Sequence, residues 1–370
     1  MLEKSSTGGA LLPAGRSPVM ADVAGLAGVS LQTVSRVVNG ADHVRPATRK
    51  RVDEAISQLG YRPNVAARAL VTQRSATVGV ICTASEFRGP ATIYRSVQSA
   101  ARAAGYFVSA IDLPEFTCGD VTQAVEHLRD QRVEGIVLIA ANDEALTAVR
   151  ARSAGELPVV VVEGDLSRVR LTAGVDNRLG AAIATEHLIA LGHTEIQHVA
   201  GPAGWAEARE RLSGWRDAMQ VAGLRPPEPL VGDWSAGSGH AAGVRLAAMA
   251  ATGDVTAVFV ANDHMAVGVL RALHEAGVRV PEDVSVVGFD DLPEAAYLIP
   301  PLTTVHQDLP AVGERAIEVL RAAVEHGGPA GSRGLTDRVG TLLRPTLVVR
   351  RSTCPPRATP SITIHVERTP

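Results

Sequence analysis

Short runs of β-branched residues alternate with helix-length segments from Ala76 to about residue 351. The runs that predict strands are residues 78–81, 135–139, 159–162, 196–200, 257–260 and 284–287, and segments such as 91–104, 177–191, 207–222 and 265–276 lie between them. Strands that alternate with helices form parallel sheets covered by helices on both faces. Because there are too many strands for one compact sheet, we expect two doubly wound α/β subdomains.

The apolar runs of the chain are short, and its cysteines are few. The longest runs, residues 135–141 and 157–162, fall short of the roughly 18 residues that a membrane helix needs. The three cysteines, Cys82, Cys118 and Cys354, are far apart, so they suggest neither a disulfide framework nor a zinc site. We therefore expect a cytoplasmic protein with no membrane association, no metal and no cofactor.

Basic residues concentrate near the N-terminus. The chain carries a net charge of −3, but residues 16–74 contain nine basic and four acidic side chains, which leaves the remainder near −8. A basic module on a larger acidic body suits a nucleic-acid contact confined to one end, although a solvated charged helix would give the same count.

Residues 22–40 predict two short helices joined by a tight turn. Asp22 can cap the first helix and Gly28 can end it, while Ser30 can cap the second, which ends near Asn39. Val34 and Val38 can then pack against the first helix, which leaves the opposite face of the second helix open. This layout is typical of a helix-turn-helix, whose second helix reads the DNA major groove.

A third helix and a connector follow. Pro46 suits the first turn of the helix, which ends at Gly60, and residues 63–70 could form a helix of two turns that Asn64 caps. We predict five segments: a disordered tail (1–17), a helix-turn-helix domain (18–62), a hinge helix and linker (63–74), an α/β core (75–351) and a flexible tail (352–370). Within the core the chain should cross between subdomains near residues 176, 306 and 340.

Residues 22–70, and 32–39 most closely, resemble the DNA-binding domain and hinge helix of the LacI/GalR family of transcriptional regulators. The resemblance implies that Leu31, Gln32 and Arg36 read bases and that Leu70 wedges into the minor groove. Leu31 stands where a close family member has tyrosine, and it can make only apolar base contacts. The other DNA-contacting candidates are Ser30, Thr33, Ser35, Asn39, His43, Thr48, Tyr61 and Asn64.

The resemblance continues to about Arg351 and implies a periplasmic-binding-protein-like core, with its strongest matches at 209–215, 232–239, 260–266, 286–291 and 297–308. Asn262 and Asp290 each follow a predicted strand, at the edge where open α/β sheets bind ligands. The family analogy implies that hydroxyl-binding, stacking and apolar pocket residues are Phe87, Pro90, Ile93, Arg211, Trp234, Asn262, Asp290 and Gln307.

Four further positions of the core bear on this pocket. Glu163 aligns with an acidic position of the family's pocket region, and Ile139 replaces a polar residue of that pocket. Asp263 and Asp291 follow directly after the two candidate ligand residues. Because adjacent side chains at a strand end point different ways, we expect these two to cap helices or make structural bonds.

These features predict a repressor that is released from a near-palindromic operator by a small sugar, with a β-galactoside as first candidate. An activator, or a regulator with a purine-like co-repressor, is the alternative within the family. An enzyme is disfavoured because the chain has no GxxxxGK[ST] loop, GxSxG elbow or HExxH motif. A transport-type binding protein would have no use for residues 20–70. Because residues 352–370 are broken by prolines and lack a heptad repeat, we expect a homodimer.

Overall fold

A computed structural model describes residues 16, 18–38, 43–62, 74–83, 88–114, 117–139, 142–152, 157–164, 166, 169–325 and 342–357. It divides the chain into two units, residues 1–75 and 76–370. The hinge helix predicted at 63–70 lies outside the described residues, as does all of the predicted N-terminal tail except residue 16.

The described residues of the N-terminal unit form three helices: α1 (Met20–Ala27), α2 (Leu31–Val38) and α3 (Pro46–Leu59). Gly28 and Gly60 end α1 and α3 with a φ of 61°, a backbone conformation that glycine adopts without steric cost. Ser30 caps α2 by accepting a hydrogen bond from the backbone N–H of Thr33. The sequence predicted Asp22 as the N-cap of α1, but the structure has Val19 at that position. Asp22 lies in the first turn and accepts from the N–H of Val19.

The core of this unit is small. Val23, Val34 and Val52, one from each helix, are fully buried together. On α2 the second buried residue is Val37 rather than Val38, which is only partly buried. A helix of eight residues is marginal by itself, so the packing of these valines is what holds α2 in place.

The second unit contains two parallel sheets. The first sheet has the strand order β11–β5–β4–β3–β1–β2. Its strands are β1 (Thr77–Thr83), β2 (Phe107–Leu113), β3 (Ile136–Ile139), β4 (Val159–Val162), β5 (Thr172–Val175) and β11 (Leu342–Leu343). Its helices are α4 (Arg88–Ala103), α5 (Cys118–Asp130), α6 (Asp143–Arg152) and α11 (Leu309–Glu325). Separate apolar clusters cover its two faces.

The second sheet has the strand order β12–β10–β9–β8–β6–β7. Its strands are β6 (Ile196–Ala200), β7 (Leu230–Val231), β8 (Ala257–Val260), β9 (Ser285–Asp290), β10 (Thr303–His306) and β12 (Thr346–Val348). Its helices are α7 (Asn177–Ala190), α8 (Ala206–Val221), α9 (Ala236–Thr252) and α10 (Asp263–Glu275). The edge strand β12 pairs antiparallel with β10, while the other pairs in this sheet are parallel. The two-subdomain α/β class predicted from the alternation is confirmed.

The chain passes between the two sheets three times: between β5 and α7, between β10 and α11, and between β11 and β12. These segments, which join the two halves, flank the cleft described below. Among the described residues, no helix has the length and apolarity that a bilayer span requires.

The beginning of the predicted C-terminal tail is packed rather than flexible. Ser352 is fully buried, and its hydroxyl donates to the carbonyl of Val286. The carbonyl of Cys354 lies 2.8 Å from Nε2 of His193. The tail prediction is therefore wrong for residues 352–357, and residues 358–370 lie outside the described part of the chain.

Candidate functional site

Helix α2 buries one face and exposes the other. Val34 and Val37 face the core, whereas Gln32 and Arg36 are exposed and Leu31 is 53% exposed. A large apolar side chain and two long polar side chains thus share the solvent face of a short helix. Arg and Gln can each form two hydrogen bonds with a base edge, so this face has the composition of a DNA-reading surface.

The remaining predicted DNA contacts of this unit fall into three groups. Ser30 and His43 are exposed, and Thr33, Ser35 and Thr48 are partly exposed. Tyr61 is 8% exposed and packs in the core, so most of its ring serves stability. Asn39, Asn64 and Leu70 lie outside the described residues. Their roles in DNA binding stay predictions.

In the second unit, a cavity of about 520 Å³ lies in the cleft between the two sheets. Residues from both halves line it: Gly89, Pro90 and Glu163 from the first, and Trp205, Glu207, Arg211, Trp234, Asn262, His264, Asp290 and Gln307 from the second and its crossing segments. Asn262, Asp290 and Gln307 lie at or just beyond the carboxyl ends of β8, β9 and β10. This is the edge at which parallel sheets bind ligands.

Arg211 is the only arginine or lysine among the described residues that line this cavity, and it is fixed on several sides. Its side chain, which is 5% exposed, donates to Oδ1 of Asn177 and to the carbonyl of Ala261. Its guanidinium lies 3.5 Å from Oδ1 of Asp290 and stacks over the ring of Phe289 at 3.8 Å. Planar stacking and multiple donors hold the group in one orientation, so it presents a fixed donor edge to the cavity.

Other polar side chains of the cleft are also held by hydrogen bonds to the protein. Gln307 donates from Nε2 to Oδ1 of Asp290 at 2.7 Å. Asn262 accepts from the N–H of Met265 and donates to the carbonyl of Trp234. These bonds give the cleft a rigid set of donors and acceptors, which is what recognition of several hydroxyl groups requires.

Three lining residues adopt a positive φ that L-residues rarely adopt: 61° at Glu163, 75° at Trp234 and 109° at Asp290. The indole of Trp234 lies directly over Gly201, where an added Cβ would come within 2.3 Å of the ring. Non-glycine residues in this region cost about 1–3 kcal/mol each, and such strain concentrates at binding and catalytic sites. The strained positions coincide with the cavity wall.

Two buried carboxyl groups face the cavity near Arg211. Burial, the neighbouring Glu207 and Asp290 raise the pKa of Glu163 to about 8, against the opposing effect of Arg211. Burial likewise raises the pKa of Glu207, although its own backbone N–H, Arg211 and the N–H of Gly164 act in the opposite direction. The site therefore holds more carboxyl groups than its single guanidinium can neutralise.

The structure brings together six of the eight predicted ligand residues: Pro90, Arg211, Trp234, Asn262, Asp290 and Gln307. Ile93 is not among them. It lies one turn further along α4, where it is fully buried in the apolar core. Phe87 lies outside the described residues. Asp263 and Asp291 make structural bonds, as predicted: Asp263 accepts from Thr304 and Leu292, and Asp291 pairs with Arg350.

Sequence reasoning missed Trp205, Glu207 and His264. Glu207 precedes Arg211 by four residues on α8 and so lies on the same helix face. That spacing was a usable signal. Trp205 and His264 sit at helix starts, where no periodicity marks them.

Comparisons with known proteins agree with both units. The model described as bacterial regulatory proteins of the lacI family matches residues 19–64, and the one described as periplasmic binding protein-like domain matches residues 185–353. The lactose operon repressor of Escherichia coli (strain K12) is 35% identical over 337 residues, which cover 90% of each chain.

Two solved structures show the same arrangement of elements. The lac repressor dimer bound to operator and the anti-inducer ONPF matches with a TM-score of 0.80 and 34% identity, covering 92% of this chain and 100% of that one. The transcriptional regulator CelR in complex with cellobiose matches with a TM-score of 0.65 and 33% identity, covering 90% and 99%. On this evidence, the chain belongs to the lacI family of bacterial regulatory proteins.

Proposed function

We propose that the protein is a transcriptional repressor that binds a near-palindromic operator as a dimer and is released by a small sugar. The single observation that carries the sugar half of this proposal is the cleft, in which Arg211, Asn262, Asp290 and Gln307 surround one cavity together with Trp234. Directional polar groups suit hydroxyls, and an indole face suits the apolar side of a sugar ring.

Relatives narrow the choice of ligand. One matched structure is of a regulator with cellobiose, and the relative with 35% identity is a lactose operon repressor. A β-galactoside is the first candidate for this chain, and β-glucosides come next. A purine-like co-repressor or an activating role is the alternative, which is favoured only if sugars leave operator binding unchanged.

The DNA half rests on the exposed face of α2, where Leu31, Gln32 and Arg36 would enter the major groove. The resemblance of residues 22–70 to the family implies a hinge helix after this domain. For this chain we propose that residues 63–70, which lie outside the described part, pair with those of a second subunit and insert Leu70 into the minor groove.

A dimer would cover apolar side chains that are exposed on the second subdomain. Tyr297 is 85% exposed and Ile299 96% exposed, and Val244 and Val267 on α9 and α10 are also exposed. Contiguous apolar patches are typical of an association surface, and we propose that these side chains form one. Light scattering should give a dimer mass at micromolar concentration, and a double Tyr297→Asp, Ile299→Asp variant should give a monomer.

The switch would act through the three crossing segments. A ligand in the cleft contacts both subdomains, so it favours one relative orientation of the two. If that orientation separates the hinge segments, operator affinity falls. Because binding free energies are linked, operator DNA must weaken ligand binding by the same factor. We propose no catalytic activity for the cleft, and a cytoplasmic location, where the operator is.

The test begins with operator-like DNA selected by the full-length protein from a random-sequence pool. Fluorescence anisotropy then measures affinity for this DNA with galactosides, glucosides and purines in turn. We expect a sugar to weaken operator binding. We also expect the same sugar to bind the protein–operator complex more weakly than the free protein, by an equal factor. A response to purines alone, or a sugar affinity unaffected by operator, would overturn it.

A further inference from the structure

Two glutamates from different subdomains meet in the cleft. Glu163 follows β4 of the first subdomain, and Glu207 lies in the first turn of α8 in the second. Both line the ligand cavity, and both also line a second, larger cavity of about 1200 Å³ that adjoins it at these two residues. The two carboxyl groups thus stand at the boundary between two spaces, where a bound molecule would touch both.

The charges around this pair do not balance. Of the three carboxyl groups that line the ligand cavity, Asp290 is paired with Arg211. Arg209 also attracts Glu207. However, Arg209 lines the larger cavity, and its guanidinium contacts Asp143 and the carbonyl of Ala203. His264 completes the set of titratable lining residues. Within the part of the chain that the structure describes, two buried carboxyl groups remain without a cation of their own.

Hydrogen bonding in the cavity is also incomplete, because two buried acceptor atoms lack a donor among the described residues. Oε1 of Glu207 is buried without a partner among the described residues, although the side chain is only 7% exposed. Oε1 of Gln307, which lines the same cavity, is likewise without a partner in the described part of the chain. Both atoms are acceptors, and a buried acceptor without a donor is costly. The cavity therefore lacks a group that donates several hydrogen bonds.

An ammonium group supplies what is missing, because it carries a positive charge and three donors. We propose that Glu163 and Glu207 form a subsite for an amine, and that the effector is a sugar that bears a protonated amino group. This inference rests on the proposed function and narrows it. It also predicts that sugar phosphates and uronic acids are rejected, since their charge would add to the excess.

The binding of an ammonium group should change the protonation of Glu163 and Glu207. In the empty cleft, burial raises the pKa values of both carboxyl groups, and the neighbouring Glu207 contributes to raising that of Glu163 to about 8. The pair therefore holds a proton at neutral pH. When an ammonium enters, both carboxyl groups can be ionised beside it, and the held proton passes to solvent. Binding of an amino sugar should release about one proton near pH 7, whereas a neutral sugar should release almost none.

Isothermal titration calorimetry of the full-length protein tests this. The ligands are the 2-amino, 3-amino and 6-amino deoxy forms of glucose and galactose, each with its parent hydroxyl sugar and its N-acetyl derivative. Two buffers of different ionisation enthalpy report the proton release. We expect one amino sugar to bind at least about tenfold more tightly than its parent, in line with charge-assisted hydrogen bonds.

Matched variants assign the effect to the pair. Glu163→Gln and Glu207→Gln keep the shape but each removes one carboxyl group, and each should reduce the amine-to-parent ratio to about one. Glu163→Gln should also abolish proton release, because burial raises the pKa of this group to about 8. Glu186→Gln, at an exposed position on α7, should change neither. Thermal unfolding and binding of the parent sugar show that each variant is folded.

The outcomes separate this inference from the proposed function. Parent sugars that bind more tightly than every amino analogue would overturn the amine subsite while leaving a sugar-responsive repressor intact. An amine preference that survives in both Gln variants would also overturn it. If neither kind of sugar binds or changes operator affinity, the proposed function and the amine subsite both fail.

Discussion

The reading face of α2 and the cleft of the core hold their polar side chains in opposite ways. Gln32 and Arg36 stand exposed in solvent, whereas Arg211, Asn262 and Gln307 are each 5% exposed and bonded to protein groups. DNA brings a large charged surface that can order exposed side chains on contact. A small ligand has few contacts to offer, so its site must be ordered beforehand.

The two regions also differ in what supports them. The N-terminal unit rests on one small cluster of buried side chains, while both faces of each sheet of the core carry their own cluster. Losing one core contact should therefore disturb the reading helix far more than the cleft. Polar substitutions should show the reverse, because only the cleft buries its polar groups.

Replacing Arg211 should have the largest effect. In Arg211→Met the carboxylate of Asp290 loses its ion pair and Asn177 loses a donor, which should cost about 3 kcal/mol of stability, as for other broken buried pairs. Sugar binding should be lost, and operator binding should persist without release. Arg216→Met, an exposed change on the same helix, is the control. Thermal unfolding and anisotropy measure both; an unchanged sugar response in Arg211→Met would contradict the assignment.

The two regions should also respond to pH in opposite directions. Burial raises the pKa values of Glu163 and Asp263 to about 8, so the core keeps the stability of their protonated forms at low pH and loses it as pH rises toward 8. In the N-terminal unit, the N–H of Val19 and Arg16 lower the pKa of Asp22, so its contribution is present at neutral pH and is lost in acid.

The window for this measurement is pH 6.5 to 9. Partly buried His187 and buried His193 and His198 have lowered pKa values, so their contributions change below that range. Thermal unfolding of the core should shift to lower temperature as pH rises through the window, and Glu163→Gln should make the slope shallower. A slope that Glu163→Gln leaves unchanged would mean that Glu163 does not hold a proton in the folded protein.

Some site residues could be predicted from the sequence and others could not, depending on whether the pattern alone fixes where a side chain lies. Asn262 and Asp290 were found because a strand end in a parallel sheet fixes where a side chain goes, whatever the ligand. Ile93 was misplaced because an apolar residue on α4 satisfies the pattern equally well at the cavity wall or in the core, and only packing decides. Tyr61 shows the same ambiguity, since a tyrosine can serve a core with its ring and a surface with its hydroxyl.

The charge excess of the cleft was beyond sequence reasoning. Glu163 and Glu207 lie 44 positions apart in the numbering and belong to different subdomains. The resemblance placed Glu163 in the pocket region, and helix spacing could have placed Glu207 beside Arg211, but only the folded chain shows how deeply both are buried. Their pKa values depend on that shared burial, because an isolated glutamate on a helix would ionise normally.

Replacing Arg36 should have a smaller effect than replacing Arg211, because the side chain is exposed and leaves nothing buried behind. Arg36→Ala should lower affinity for the selected operator by about 1–3 kcal/mol and relax the preference for one base pair. Arg51→Ala, which removes the same charge from an exposed position of α3, should weaken specific and random DNA alike. Anisotropy with both DNAs measures the ratio; equal ratios for the two variants would contradict base reading by Arg36.

Substitution of Ser30 should have the smallest effect. It separates two roles of this residue, because Ser30 both caps α2 and lies on the predicted DNA surface. Its hydroxyl caps α2 through the N–H of Thr33, so Ser30→Ala should cost about 1 kcal/mol of stability. Ser30→Asp keeps a capping oxygen and should restore that stability, but its charge would repel a phosphate. If Ser30 only caps the helix, both stability and DNA affinity should recover in Ser30→Asp. If it also contacts the operator backbone, thermal unfolding should recover while anisotropy shows DNA affinity falling further.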